Sequence, residues 1–255
     1  IIGAPKADNT ALGLVDSGSV TVVYGPTGTT KQTFYGPKAK ALFGAAVALG
    51  DVNGDSKADM IIGAPKDDNL TLAFITVIDT GSVTVQSGAA GNVVLNTFYG
   101  VMAKAYAGTS VAAGDFDDDG MADIIIGAPN DDDTETDPEK IYVDAGSVSV
   151  YSIADANDPL MKAFGFTAKA YLGKSVAVGD LDGDGSAEVL AGAPGDDVLN
   201  EDGKAIRKDV GSVTLFAGDT GDLRYLYYGR TLKAGLGNSV AFGDVNNDAV
   251  LDIIA

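Results

Sequence analysis

The chain repeats itself, and that constrains its fold more than any other feature. Ile1-Ile2-Gly3-Ala4-Pro5 returns as Ile61-Ile62-Gly63-Ala64-Pro65, as Ile125-Ile126-Gly127-Ala128-Pro129, and more loosely as Leu190-Ala191-Gly192-Ala193-Pro194, a period of 60 to 65 residues. A second marker keeps the same phase: Gly18-Ser19-Val20, Gly81-Ser82-Val83, Gly146-Ser147-Val148 and Gly211-Ser212-Val213. An acid stands two positions before each: Asp16, Asp79, Asp144 and Asp209. The third marker is an aromatic before glycine, at Phe34-Tyr35-Gly36, Phe98-Tyr99-Gly100, Phe164-Gly165 and Tyr227-Tyr228-Gly229. Self-similarity at a fixed period means one supersecondary unit used repeatedly, each unit burying its apolar face on the next.

Within a unit the pattern reads as four short strands. In the best example, Ala46–Gly50 is a run of small apolar residues and Met60–Ala64 is apolar throughout, as a strand covered on both faces would be. Gly81–Gln86 alternates apolar and polar, and Asn96–Gly100 is aromatic. Glycine or proline punctuates the junctions, consistent with 34 Gly and 8 Pro in 255 residues. No window of helical length carries a helical period. Four strands in each evenly spaced unit predict an all-β chain, a β-propeller of four-stranded antiparallel blades. The units are expected at about 1–60, 61–124, 125–189 and 190–253.

Between the first and second strand of each blade lies a run of aspartates. The four are Asp51-Val52-Asn53-Gly54-Asp55-Ser56-Lys57-Ala58-Asp59, Asp115-Phe116-Asp117-Asp118-Asp119-Gly120-Met121-Ala122-Asp123, Asp180-Leu181-Asp182-Gly183-Asp184-Gly185-Ser186-Ala187-Glu188 and Asp244-Val245-Asn246-Asn247-Asp248-Ala249-Val250-Leu251-Asp252. All fit D-x-[DN]-x-D-x-x-x-[DE]. A hard cation such as Ca²⁺ takes six to eight oxygens in flexible geometry. A tight loop can turn its first, third, fifth and ninth side chains inward. The seventh residue, Lys57, Met121, Ser186 or Val250, would then add a backbone carbonyl, and the unlike side chains there fit a backbone role. Fourteen of the sixteen inward side chains are acidic, a crowding that is repulsive without a cation. Up to four Ca²⁺ ions are expected, one per loop. The bland alternative is a set of Asp-rich turns, in which the side chains only cap backbone N–H groups. The loop start is EF-hand-like, but nine residues run directly into a strand and no flanking helix is readable. Gly120 and Gly185 ease a sharp turn at the sixth position where the first and fourth loops have Ser56 and Ala249. The second and third loops are therefore expected to bind more tightly.

At these residues the chain resembles the FG-GAP repeat of integrin α-subunit propellers. Gly-Ala-Pro is literal in all four units. The Phe-Gly half stands at Phe43-Gly44 and weakens to Ala107-Gly108, Leu172-Gly173 and Leu236-Gly237. Ser-Val-Ala follows at Ser110-Val111-Ala112, Ser175-Val176-Ala177 and Ser239-Val240-Ala241, while the first copy departs with Ala45-Ala46-Val47-Ala48. The resemblance covers essentially the whole chain. It implies calcium loops on one face of a propeller, usually of seven blades, with the ions bracing the blades and ligands bound elsewhere. It also implies an extracellular or cell-surface setting. Ile254 falls at the phase of Ile1, so the chain reads as a slice of a longer repeat protein. The alternative is a closed four-bladed ring in which Ile1–Pro5 completes the blade begun by Ser239–Gly243.

Composition narrows the function. A net charge of −19, with 36 acids against 17 bases, disfavours nucleic acid as a partner. Without His or Cys the chain can hold neither a His-based triad nor a thiol nucleophile. No apolar stretch of about 18 residues predicts a transmembrane helix, and any targeting segment would lie outside a chain that opens on Ile1. Paired carboxylates could hydrolyse glycosides, but the acids here already have a place in the loops. The expected function is a non-enzymatic, calcium-stabilised module for adhesion or assembly, whose partner is a protein, a glycan or copies of itself. The alternatives are an accessory domain of a secreted polysaccharide-active enzyme and a subunit of a surface polymer. A second acidic group, Asp8, Asp67-Asp68, Asp131-Asp132-Asp133 and Asp196-Asp197, could with Asp16, Asp79, Asp144 and Asp209 form further cation sites. A solvated loop with an Asx-turn is the favoured reading there. The insertions Asn69–Ile78, Asn130–Val143 and Val198–Lys208 are the least regular parts and the place where recognition would sit.

Overall fold

The computed structural model describes residues 1–23, 25–70, 76–89, 93–137 and 139–255. Every element among them is a strand. β1 (Ile2–Ala4), β2 (Ser19–Val23) and β3 (Thr30–Tyr35) make a three-stranded sheet. The second sheet takes β4 (Ala46–Gly50) and β5 (Asp59–Ala64), passes over a small hairpin of β6 (Asn69–Leu70) and β7 (Thr76–Val77), and ends with β8 (Ser82–Gln86) and β9 (Val94–Tyr99). The third is β10 (Ser110–Gly114), β11 (Asp123–Ala128), β12 (Ser147–Tyr151) and β13 (Met161–Phe164). The fourth is β14 (Ser175–Gly179) and β15 (Glu188–Ala193), again with a hairpin, β16 (Val198–Leu199) and β17 (Ala205–Arg207), before β18 (Ser212–Phe216) and β19 (Leu223–Tyr228). β20 (Ala241–Gly243) and β21 (Asp252–Ile254) form a final pair. All the strand pairings are antiparallel. These meanders are the propeller blades the repeat predicted.

The inner strands β4, β10, β14 and β20 touch one another in succession, which places them about the central axis. Small residues permit the approach. A Cβ on Gly50 would lie 2.8 Å from that of Ala113, and one on Gly114 would lie 2.8 Å from Val178. The second strands β5, β11 and β15 are buried at every residue, because successive side chains enter the cores on either side of the blade. Ile62 packs with Val20 and Phe43, while Ile61 packs with Val83, Phe98 and Ile124. The core is thus a series of interblade layers. Phe98 of one blade stacks 4.7 Å from Tyr151 of the next.

The repeat motif has a direct physical reading. Gly63 lies against Gly108 of the next blade, and the Gly108 N–H donates to the Gly127 carbonyl at 3.1 Å. A Cβ on Gly63 would sit 2.1 Å from the Gly108 oxygen, and the same clash recurs for Gly127 on Gly173 and Gly192 on Gly237. The glycine of the Phe-Gly half has φ of +84° at Gly44, +82° at Gly108, +81° at Gly173 and +92° at Gly237. Its partner position needs only to be apolar and buried, so Phe43, Ala107 and Leu172 all serve. This explains why glycine persists where the aromatic does not. Ser110 and Ser175 reinforce the contact, their hydroxyls donating to the Gly173 and Gly237 carbonyls at 2.7 and 2.8 Å. Gly63→Ala is expected to cost about 3 kcal/mol or more, since backbone and not a side-chain end must move. A urea midpoint within error of wild type would overturn that account.

Two expectations need refinement. The pairing that a closed four-bladed ring requires is absent among the described residues. β21 occupies the edge of β20, with Ala241 opposite Ile254, and β1 pairs with β2. Ile254 and Ile1 share one phase of the repeat, so the chain's own 252–254 segment takes that place. The insertions are also more regular than expected. Two of them carry the hairpins β6–β7 and β16–β17, and the third is closed by a bridge between Asp133 and Tyr142. Residues 71–75 and Pro138 of these insertions lie outside the described residues.

Candidate metal centre

Each aspartate loop joins the inner strand of a blade to its second strand, and three backbone contacts shape it the same way every time. The ninth acid accepts the N–H of the second residue: Val52 to Asp59 Oδ2 at 3.1 Å, Phe116 to Asp123 Oδ2 at 2.8 Å, Leu181 to Glu188 Oε2 at 2.7 Å and Val245 to Asp252 Oδ2 at 2.9 Å. The first acid accepts N–H groups from the middle of the loop, such as Ser56 to Asp51 Oδ2 at 2.7 Å, Gly120 to Asp115 Oδ2 at 2.9 Å, Gly185 to Asp180 Oδ2 at 3.2 Å and Ala249 to Asp244 Oδ2 at 2.9 Å. The fifth acid accepts the N–H of the seventh residue: Lys57 to Asp55, Met121 to Asp119, Ser186 to Asp184 and Val250 to Asp248, at 2.8 to 2.9 Å. The sixth residue is left-handed throughout, with φ of +62° at Ser56, +84° at Gly120, +106° at Gly185 and +65° at Ala249. Glycine is unstrained there and Ser or Ala is not.

The second loop residue was not singled out by its sequence, although its apolar character was visible. Val52 and Phe116 are buried in the core between their own blade and the next. They fasten the first and second loops to the core. Neighbouring loops are also tied together. The Ala122 N–H donates to the Asp51 carbonyl at 2.8 Å, and the Ala187 N–H to the Asp115 carbonyl at 2.6 Å. The first three loops therefore form one connected row at one end of the blades.

The structure gathers the acids unequally. Carboxylate oxygens of Asp115, Asp117 and Asp123 lie within 4.8 Å of one another, as do those of Asp180, Asp182 and Glu188. Asp119 and Asp184 stand in the same loops but outside those groupings. In the first and fourth loops the third position is amide, and Asn53 and Asn246 each accept an N–H, from Asp55 at 3.0 Å and Asp248 at 2.9 Å. In the second loop Asp117 Oδ1 is buried with no hydrogen-bond partner. A buried carboxylate oxygen without a partner, on a residue whose carboxylate lies among two others, is a costly arrangement without a counter-ion, and it fits an oxygen-coordinated cation. Burial pushes Asp123 up to about 7; the Phe116 N–H opposes this and the charges of Asp117, Asp119 and Asp115 add to it. Burial, followed by repulsion from Asp119, also raises Asp117.

Part of the second acidic group is buried, which corrects the solvated-loop reading for Asp67, Asp131 and Asp196, while Asp8 stays exposed and Asp133 caps the N–H groups of Glu135 and Thr136 as an Asx-turn does. Asp67, Asp131 and Asp196 are buried and accept the hydroxyls of Ser82, Ser147 and Ser212 at 2.8, 2.9 and 2.7 Å. Lys38 Nζ meets Asp67 Oδ1 at 2.8 Å, and the Thr167 hydroxyl takes the same role at Asp196 Oδ1, at 2.7 Å. Burial raises Asp131 and Asp196, with the serine hydroxyls working against it. The companion acids Asp8, Asp68, Asp132 and Asp197 each accept the N–H of Asp16, Asp79, Asp144 or Asp209, at 2.7 to 2.8 Å. Those four donors have φ of +50° to +55°, so the bond holds a left-handed residue at the entry to the third strand. A hydroxyl-to-carboxylate pairing across 15 or 16 residues is not a local turn pattern, which is why local sequence reasoning did not find it.

The FG-GAP repeat family matches residues 43–85, 107–151 and 172–216, just over half of the chain. The chain belongs to the FG-GAP repeat family. Each matched stretch begins at the buried residue before the left-handed glycine, crosses an aspartate loop and ends in the third strand of the blade. Among curated proteins, this FG-GAP chain is 33% identical over 155 residues to integrin alpha-5 of Xenopus laevis, covering 60% of this chain and 14% of the relative. It is 33% identical over 153 residues to integrin alpha-V of Gallus gallus, covering 59% of this chain and 14% of the relative. It thus spans about one seventh of the integrin chains it matches. Among solved structures, it is similar to a rhamnogalacturonan lyase from Bacillus licheniformis, with TM-score 0.50 and 13% identity over 93% of this chain and 47% of that one. It is similar also to the rhamnogalacturonan lyase YesW, with TM-score 0.51 and 14% identity over 93% of this chain and 48% of that one. At such identity the likeness to the lyases is one of fold. No helix among the described residues is long and apolar enough to cross a membrane.

Proposed function

We propose that the chain is a calcium-braced FG-GAP propeller module, non-enzymatic, serving adhesion or assembly at the cell surface or outside the cell. The observation that carries the reading is the second loop, where Asp115, Asp117 and Asp123 converge and Asp117 Oδ1 is buried without a partner. Asp115, Asp117, Asp119 and Asp123 would hold the ion there with the Met121 carbonyl. Asp180, Asp182, Asp184, Glu188 and the Ser186 carbonyl are the counterpart in the third loop. Asp51, Asn53, Asp55, Asp59 and the Lys57 carbonyl serve the first loop, and Asp244, Asn246, Asp248, Asp252 and the Val250 carbonyl the fourth. The first and fourth loops are the weaker, having one carboxylate fewer and a non-glycine residue at the left-handed sixth position. The all-oxygen donor set favours Ca²⁺ over softer metals. The ion neutralises crowded carboxylates at the join between the first two strands of each blade and supplies no reaction step.

The integrin α relatives support the adhesive, cell-surface setting, with a protein or glycan ligand or further copies of the chain as partner. The placement of the acids supports a non-enzymatic role, because they serve the loops and the serine pairs. Calorimetric titration of the metal-free protein with Ca²⁺ is expected to resolve at least two sites, the tightest lost in Asp117→Asn. Absence of calcium heat and of any calcium-dependent shift in melting would sink the proposal.

A further inference from the structure

The third loop differs from the second in one respect that its motif does not reveal. Arg224, on the outer strand β19, reaches back to it. Its Nη1 donates to Glu188 Oε1 at 2.8 Å, and its Nη2 to Asp182 Oδ2 at 2.6 Å. These are the ninth and third residues of the loop, two of the three whose oxygens converge. At the equivalent register of the second and third sheets stand Leu95 and Leu160, one residue before Asn96 and Met161, and in the three-stranded first sheet Lys31, one residue before Gln32. Glu188 is the single glutamate among the four ninth positions. Its extra methylene and the arginine occur together in this blade. The Glu188 side chain is 2% exposed, whereas Arg224 is 34% exposed. The guanidinium therefore approaches the buried carboxylate from the solvent side of the loop.

We propose that Arg224 is a built-in counter-cation of the third loop, holding Asp182 and Glu188 when no divalent ion is bound and giving up at least one of them when an ion enters. This rests on the calcium reading of the loops. The guanidinium satisfies two carboxylates at once through its planar fork. A calcium ion at the same oxygens must compete with that contact and bear repulsion from the positive charge. The third loop, although it has four carboxylates and a glycine at its sixth position like the second, then binds calcium more weakly. Its blade in turn depends less on calcium for its stability. Two sites with the same motif thereby respond over different calcium concentrations.

The amides of Gly120 and Gly185, each bonded to the first aspartate of its loop, are site-specific reporters. They can be followed by nitrogen-edited NMR during calcium titration of the whole chain. In the wild type, Gly120 is expected to reach its midpoint at lower calcium than Gly185. In Arg224→Gln, the Gly185 midpoint is expected to fall about fivefold, the effect of removing one adjacent like charge, with Gly120 unmoved. Arg230→Gln removes the same charge without touching the loop and is expected to move neither. In EDTA, Arg224→Gln is expected to melt below wild type, because Glu188 loses a partner. Should the glutamine variant not fold, Arg224→Lys keeps the charge but cannot span both carboxylates, and is expected to move Gly185 the same way by a smaller factor. A Gly185 midpoint unmoved by Arg224 substitution, or moved equally by Arg230→Gln, while Gly120 still titrates, overturns the role of Arg224 and leaves the calcium reading standing. If neither glycine responds to calcium in any variant, the calcium reading itself falls, and this inference with it.

Discussion

Excess EDTA is expected to lower the melting temperature of this chain by about 10–20 °C relative to millimolar calcium. A ligand that binds only the folded state stabilises it by RT ln(1 + [L]/Kd), about 2.7 kcal/mol per site at a hundred times Kd. The second loop at that level and the three weaker loops together then contribute about 5 kcal/mol, and for a chain of this size each kcal/mol moves the midpoint by about 2–4 °C. The physical source is in the loops. Asp115, Asp117 and Asp123 converge with one buried oxygen unpaired, so the metal-free fold carries a repulsion that the ion removes. The loops are joined through Ala122 to Asp51 and Ala187 to Asp115, so loss of ions loosens a connected row and not isolated turns. Scanning calorimetry with and without EDTA, with magnesium as a control for ionic strength, measures the effect. An unchanged melt would leave the loops as Asp-rich turns.

The blade architecture was legible because its signals are local and repeated. The apolar run Met60–Ala64 and the alternation over Gly81–Gln86 correspond to β5 and β8 with boundaries displaced by one residue. Four copies in phase turned a weak nine-residue pattern into a strong one. What stayed hidden is non-local. The buried Asp67, Asp131 and Asp196 read as surface acids because their partners Ser82, Ser147 and Ser212 lie in the next strand of the blade, 15 or 16 residues away. Arg224 is 42 residues from Asp182 and 36 from Glu188, and only the register of β19 on β18 brings them together. The persistence of the motif glycines was visible, but its cause was not. It lies in a backbone-to-backbone approach between blades, such as Gly63 on Gly108, which no single repeat contains. The short hairpins in the insertions escaped notice because two- and three-residue strands carry almost no periodic signal.

Asp123→Asn is expected to change the sign of its effect with calcium. Asp123 is buried and its pKa stands near 7, against 3.8 for the ordinary side chain. In EDTA at pH 8 the carboxylate is ionised in both folded and unfolded chains, so folding bears the cost of a buried charge beside Asp115, Asp117 and Asp119. That cost declines as pH falls through 7, where the folded form takes up a proton, and is gone below the unfolded value near 4. Asparagine bears no such cost at any pH, and its amide oxygen can still accept the Phe116 N–H that Asp123 Oδ2 accepts at 2.8 Å. The variant should therefore melt above wild type in EDTA at pH 8, by on the order of 1 kcal/mol, since water on the open side of the loop screens much of the repulsion. The gap should narrow toward pH 5. In millimolar calcium the order reverses, because the variant has lost a charged ligand and most of the roughly 2.7 kcal/mol that a well-occupied site contributes. Four melts, two proteins with and without calcium, decide it. If Asp123→Asn is the less stable in both conditions by the same amount, the acid is only a cap on Phe116 and the second loop is not a metal site.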